Sequence, residues 1–203
     1  MATINESSLS RIWRKNKEFD SGTISAFKGY RTHKENMAKH RELVGKLVGA
    51  GMSVTKIQGT FIENYKTPHA KEVHELSLIV FDHKKTGKLK EILLKLGKEF
   101  EQDSITFCDA STGEYYLIGC LDKTKVKDDN GNIVEVDAYP KKGVSIRLGK
   151  PMFGENGEFF SKVNGRPFIF KEGEEVPSEL VLEMFQNNTK YVLEKMARES
   201  ELI

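Results

Sequence analysis

The chain has 203 residues, of which 38% are hydrophobic and 31% are charged, and its formal net charge is +2. This composition is typical of a globular protein with a charged surface, and it argues against a disordered chain. No apolar run reaches the roughly 18 residues of a bilayer span, and the N-terminus lacks the pattern of a secretory signal. We therefore expect a cytoplasmic protein that has no membrane association.

Cysteine and histidine usage gives little support for a metal site. Two cysteines are too few for a disulfide framework, and we expect both to be reduced and buried in strands. His69 and His74, with Glu72 and Glu75, come nearest to a metal-ligand cluster, but a polar loop that enters a strand uses the same residues for solvation. We predict no metal ion and no cofactor.

Hydrophobic periodicity predicts three helices and five strands before residue 121. The second helix has the clearest start, because Thr32 and Glu35 form a capping-box pattern, so that the helix begins at about His33. In chain order the predicted elements are helix 7–19, strand 23–27, helix 33–50, strand 53–64, strand 76–81, helix 87–101, strand 104–109 and strand 114–120.

The order of these elements predicts an α+β fold. From residue 23 onward, a strand–helix–strand–strand–helix–strand run with right-handed crossovers closes most simply into an antiparallel sheet. Two helices back one face of that sheet, in the ferredoxin-like split βαβ arrangement. The fifth strand then extends one edge. We assign this core domain to residues 22–120, after an N-terminal helix in residues 1–21.

The pattern weakens after residue 121. Asn130–Gly131 and Asn164–Gly165 mark turns between short strand-like runs, which predicts a small extension of β-hairpins over residues 121–176. An apolar stripe in residues 177–203 predicts a C-terminal amphipathic helix. The stripe needs a cover, either its own domain or a second copy of the chain, so a homo-oligomer formed through this helix is one prediction.

The stretch FKGYRTHKEN, residues 27–36, places four basic side chains just before a helix. A helix N-terminus offers free N–H groups and a partial positive charge, so Arg31 beside it predicts a phosphate or carboxylate site. The alternative is an ordinary solvated turn, which Glu35 favours because a capping-box glutamate already occupies one donor. Both interpretations remain open on the sequence. Glu75, Ser77 and Gln102 lie at strand entries, where they could line the same cleft.

Several short motifs between residues 22 and 120 resemble those of a known family. They fall on Ser25 and Ala26, Asn36, Gly59, Glu75 and Ser77, and Phe100 with Gln102. In these motifs the chain resembles a family of short bacterial and tailed-phage proteins, a domain of unknown function, and its segment GEFFSKVNGRPFIF resembles the phage-borne members. The resemblance implies a phage origin, action in the host cytoplasm and a role for Asn36 in ligand binding. It implies no activity.

The sequence contains no P-loop, no G-x-G-x-x-G, no G-x-S-x-G, no H-E-x-x-H and no C-x-x-C motif. We therefore favour a phage accessory protein that binds a host protein or defence complex, and we favour a binding protein over an enzyme. One alternative is a protein that binds a nucleotide or other small anionic ligand, or hydrolyses it, with the candidate ligand-binding residues Ser25, Arg31, Asn36, Glu75, Ser77 and Gln102. Another is a virion-associated structural protein. Nucleic acid is disfavoured, because only Trp13 and Tyr30 are aromatic residues among the basic ones.

Overall fold

The computed structural model describes residues 8–63, 71–128, 130–153, 159–163 and 166–171. All described residues belong to one compact unit, Met1–Glu172. Its elements are α1 (Ser8–Glu18), β1 (Ser21–Ser25), α2 (His33–Gly49), β2 (Ser53–Glu63), β3 (Lys71–Phe81), α3 (Leu89–Glu99), β4 (Ser104–Asp109), β5 (Glu114–Gly119), β6 (Lys123–Lys127), β7 (Ile133–Asp137), β8 (Ser145–Phe153), β9 (Phe159–Val163) and β10 (Arg166–Lys171). Among the described residues, none of the helices combines the length and apolar character of a bilayer span.

The predicted α+β fold class is confirmed. The first four strands lie in the order β2-β3-β1-β4, which is the ferredoxin-like order, and β5 extends the sheet beside β4. Each of these neighbours pairs antiparallel. The predicted topology has this order, because each helix connects two strands that have a third strand between them in the sheet.

Helices α2 and α3 cover the same face of the sheet. Leu43 and Leu47 from α2 and Leu93 from α3 are fully buried, and they share one apolar cluster with Ile24 of β1 and Leu78 of β3. Successive strand residues point to opposite faces, so the neighbours of Ile24 and Leu78 along their strands point away from these helices. The other face of the sheet is therefore where the remaining side chains of β1 and β3 meet.

Strands β8, β9 and β10 close the sheet into a barrel. β8 pairs with β5, β10 lies between β8 and β9, and β9 pairs with β2. The sequence predicts a small extension of β-hairpins for this part of the chain, and in the structure β8, β9 and β10 join the main sheet. The face opposite α2 and α3 is thus the inside of a barrel, and α1 packs against it through Ile12, which contacts Ile79 and Phe81.

The predicted hairpin around Asn130 and Gly131 corresponds to a two-stranded sheet of β6 and β7, which we call the β6–β7 ribbon. Thr124 is its one buried residue, and the other residues of both strands are exposed. The predicted C-terminal helix lies outside the described residues. The four-part domain division stays a prediction.

Candidate active site

A row of hydroxyl side chains lines the inner face of β1. Ser21 bonds to the Tyr115 hydroxyl at 3.0 Å, and Thr23 bonds to the Thr106 hydroxyl at 2.8 Å. At the end of the row, Ser25 accepts a hydrogen bond from the backbone N–H of Phe27 at 3.0 Å. Pairing of β1 with β3 places Ser25 directly opposite Ser77. The hydroxyl row therefore leads to Ser77 on the neighbouring strand.

Glu75 stands beside these two serines. It lies two residues before Ser77, so both side chains point to the inside of the barrel, and the Ser77 hydroxyl donates to Glu75 Oε1 at 3.2 Å. Gly59 of β2 is its cross-strand partner. The carboxyl is half-buried, and its desolvation raises its pKa to about 7 although the two serines and the Lys28 charge act in the opposite direction. Glu75 is therefore poised to change its charge near neutral pH.

The loop after β1 is fixed by two buried amide side chains. Asn36 Oδ1 accepts from the backbone N–H of Lys28 at 2.9 Å, and Asn36 Nδ2 donates to the Lys28 carbonyl at 3.0 Å. Gln102 Nε2 donates to the Phe27 carbonyl at 3.2 Å. Both side chains thus hold the backbone of residues 27 and 28, rather than pointing at open space.

Arg31 is engaged in the same loop. Its guanidinium donates to the Ala26 carbonyl at 3.2 Å and forms an ion pair with Glu101, which also accepts a hydrogen bond from the Tyr30 hydroxyl at 2.9 Å. Desolvation alone would raise the pKa of Glu101, but the Tyr30 hydrogen bond and the Arg31 charge lower it overall. In this structure the Arg31 charge is balanced by Glu101 within the protein.

The start of α2 is also occupied. Thr32 caps the helix, with its hydroxyl accepting from the N–H of Glu35 at 3.3 Å, and the Glu35 carboxylate accepts from the Thr32 N–H at 2.8 Å. The predicted capping box is therefore present. It satisfies donors that an anion would otherwise use.

Lys28 brings a buried positive charge to the site. Its ammonium donates to Asp103 Oδ1 at 2.7 Å and to the Thr124 hydroxyl at 3.0 Å, and only 11% of its side chain is exposed. Thr124 in turn donates to Asp103 Oδ1 at 2.7 Å. This trio joins the loop after β1, the strand entry at β4 and the β6–β7 ribbon.

The six candidate residues thus fall into two groups. Ser25, Glu75 and Ser77 form one polar cluster inside the barrel, and Asn36, Gln102 and Arg31 hold the adjoining loop. Neither Lys28 nor Asp103 is among the ligand-binding residues that the sequence predicts. Within the described ranges, no three His, Cys, Asp or Glu side chains are grouped so that they could hold a metal ion.

A carboxyl of raised pKa among hydroxyls, inside a barrel, is a combination that many enzyme active sites share. The model of the S-adenosylmethionine lyase family matches residues 22–153 of this chain. The match spans more than half of the chain and includes every residue of the polar cluster and the loop. The chain belongs to the S-adenosylmethionine lyase family.

One solved structure that matches part of this chain is described as a phage SAM lyase in complex with S-methyl-5'-thioadenosine. It shares 15% sequence identity with this chain, and the alignment covers 61% of this chain and 92% of the other, with a TM-score of 0.30. Likeness at that level adds no argument of its own. Among the curated proteins, no relative of this chain is found.

Family membership corrects four of the predictions made from the sequence. The resemblance to a domain of unknown function is wrong, since the matching family has a named activity. The preference for a binding protein over an enzyme is wrong, and so are the main function, binding of a host protein or defence complex, and the host protein as partner. The alternative of a nucleotide-like small ligand comes closer, because S-adenosylmethionine contains adenosine.

The sequence favoured a binding protein over an enzyme because it lacks the common catalytic motifs. Those motifs mark phosphate loops, metal ligands and activated nucleophiles that the protein itself supplies. S-adenosylmethionine brings its own activated group, a sulfonium, whose sulfur leaves as a neutral thioether. An enzyme for such a substrate needs to bind, orient and balance charge, and single polar residues on different strands can do this without a contiguous motif.

Proposed function

We propose that this protein cleaves S-adenosylmethionine as a lyase, in the polar cluster of Ser25, Glu75 and Ser77. The observation that carries the proposal is Glu75, a carboxyl inside the barrel whose pKa is raised to about 7 by desolvation. It lies within the region that matches the lyase family. We place the reaction in the cytoplasm, where S-adenosylmethionine is used.

The charge of the substrate suits this carboxyl. The sulfonium is a fixed cation, and a cation next to Glu75 favours the ionised carboxylate and compensates for the cost of desolvating it. The ionised Glu75 would hold the sulfonium in place. In lyase cleavage the electron pair of the carbon–sulfur bond goes to sulfur. The carbon is satisfied from within the substrate. Either an oxygen of the substrate's own carboxylate forms a C–O bond as the carbon–sulfur bond breaks, which gives a lactone, or a proton of the neighbouring carbon passes to the Glu75 carboxylate as a carbon–carbon double bond forms.

The other candidate residues support the carboxyl. Ser77 donates to Glu75, and Ser25 bridges the end of β1 to the loop through Phe27. Asn36, Gln102 and Arg31 hold that loop, so we assign them a positioning role rather than direct contact with the substrate.

A variant of Glu75 tests the proposal. Glu75→Gln keeps the shape of the side chain and removes its charge. We expect the wild-type protein to consume S-adenosylmethionine and release methylthioadenosine in a chromatographic assay with no other reactant. We expect Glu75→Gln to be at least about 100-fold slower, in the range for loss of one charged catalytic group.

Glu91→Gln is the matched control, because Glu91 is an exposed glutamate on α3, and it should retain wild-type turnover. The proposal fails if the wild-type protein leaves S-adenosylmethionine intact. The role given to Glu75 fails if Glu75→Gln and Glu91→Gln cleave the substrate at the same rate.

A further inference from the structure

The Lys28 ammonium is a buried cation that makes two of its three possible hydrogen bonds. Its side chain is 11% exposed, and it donates to Asp103 and Thr124. An ammonium carries three N–H donors. Across the part of the chain that the structure describes, the third donor of Lys28 has no partner, and an unmade hydrogen bond on a buried charge is costly.

Several side chains fix the position of the Lys28 backbone and of its ammonium. Asn36 bonds to both backbone polar groups of Lys28, and Gln102 bonds to the carbonyl of Phe27 just before it. Asp103 and Thr124 then fix the end of the side chain from two other segments. A lysine that served only to solvate a loop would need none of these contacts, because its long side chain would extend into water.

The ammonium also lies within electrostatic reach of Glu75. The Lys28 charge lowers the pKa of Glu75, against the larger effect of desolvation, and the Ser25 and Ser77 hydroxyls also act on that carboxyl. Ser25 connects the two groups, because it lies opposite Ser77, whose hydroxyl donates to Glu75, and it accepts a hydrogen bond from the N–H of Phe27, the residue before Lys28.

S-adenosylmethionine carries the complementary charges. Its α-carboxylate is separated from its sulfonium sulfur by three carbon atoms, so one end of the amino acid portion is negative and the reacting end is positive. We propose that Lys28 binds the α-carboxylate of the substrate through its third N–H donor, while Glu75 faces the sulfonium. This inference rests on the proposed function and adds a residue that selects an amino acid carboxylate.

Binding of two unreactive ligands tests the inference separately from turnover. S-adenosylhomocysteine has the carboxylate but no sulfonium, so it is not expected to be cleaved; its decarboxylated analogue, 5'-deoxy-5'-(3-aminopropylthio)adenosine, differs only in lacking the carboxylate. By calorimetry, the wild-type protein should bind S-adenosylhomocysteine about 10- to 100-fold more tightly than the analogue, as expected for one hydrogen bond to a charged group. Lys28→Met should lose that preference and bind the analogue as the wild type does.

Lys34→Met is the matched control, since Lys34 is an exposed lysine in the first turn of α2, and it should keep the wild-type preference. Equal affinity of the wild-type protein for the two ligands would overturn the inference, even if Lys28→Met failed to fold. If Lys28→Met weakened the binding of both ligands equally, Lys28 would have a purely structural role, and this result would also overturn the inference. Neither outcome bears on the proposed function, which depends on cleavage of S-adenosylmethionine by the wild-type protein.

Discussion

Asn36 bonds to Lys28 through both polar atoms of its side chain, accepting from the Lys28 N–H at 2.9 Å and donating to the Lys28 carbonyl at 3.0 Å. The side chain is buried, so it replaces the water that these backbone groups would otherwise need. One residue on α2 thereby sets the conformation of the loop that carries the buried ammonium of the site.

Removing this clamp should destabilise the protein. Asn36→Ala leaves a backbone N–H and a carbonyl of Lys28 without their partners, and we expect a loss of about 1 to 3 kcal/mol in the free energy of unfolding. Urea unfolding measures it. Asn130→Ala, at the exposed tip of the β6–β7 ribbon, should change the free energy by less than about 0.5 kcal/mol. Equal effects of the two substitutions would show that the clamp contributes nothing specific.

The sequence predicts the core of the fold because its signals there are local. The spacing of apolar residues gives α2 and α3, the capping box gives the start of α2, and the order of elements gives the ferredoxin-like sheet. Which strand pairs with β8, β9 or β10 is decided by contacts between distant parts of the chain. Turn signals such as Asn164–Gly165 indicate a hairpin but do not say which sheet it joins.

The candidate site also has one part that the sequence predicts and one part that it does not. Ser25 and Ser77 face each other because β1 and β3 are neighbours, which follows from the predicted topology. Lys28 carries no such signal, since a lysine beside a glycine looks like any residue of a solvated loop. Its burial depends on Asp103 and Thr124, which are 75 and 96 residues away along the chain. That information appears only when the loop and the β6–β7 ribbon are placed together.

His40 should make stability depend on pH. It is buried on α2, and within the described structure neither ring nitrogen has a hydrogen-bond partner. Desolvation, with smaller effects of the Lys56 and Arg41 charges, lowers its pKa below the ordinary 6.5. Because the unfolded chain then binds the proton more readily, the contribution of His40 to stability is present above pH 6.5 and decreases as the pH falls below it.

His40→Leu should remove this part of the pH dependence without breaking a hydrogen bond. We expect the free energy of unfolding at pH 7 to change by less than about 1.5 kcal/mol, as for other swaps of similar volume in a core. The loss between pH 7 and pH 5 should be smaller in the variant than in the wild-type protein or in His33→Leu, which alters an exposed histidine. Identical pH dependence in all three proteins would refute the effect assigned to His40.

Glu75 should lower stability at the pH where it supports activity. Its pKa is raised from 4.5 to about 7, so the folded protein binds the proton more tightly than the unfolded chain. The contribution of Glu75 to the free energy of unfolding is therefore highest below pH 4.5, and it decreases as the pH rises through 7. The cost above pH 7 is at most about 3.5 kcal/mol.

Glu75→Gln should accordingly be more stable than the wild-type protein at pH 8, and the gain should disappear toward pH 4.5. Thermal or urea unfolding at the two pH values measures the difference, with Glu91→Gln as the exposed control. Such a gain in stability with a loss of activity is common when a functional group is held in an unfavourable environment. A variant that is less stable than the wild-type protein at pH 8 would contradict the raised pKa.

The pH dependence of kcat/KM for cleavage of S-adenosylmethionine tests the central claim most directly, because this ratio reports the pKa of the essential group in the free enzyme. The account predicts that kcat/KM rises with pH from 5.5 and bends near pH 7, as the Glu75 carboxylate forms. The substrate's own α-amino group titrates near pH 8, so the range below pH 7.5 is the informative one. A profile that stays level or falls between pH 5.5 and 7.5, or the absence of any cleavage, would contradict the account.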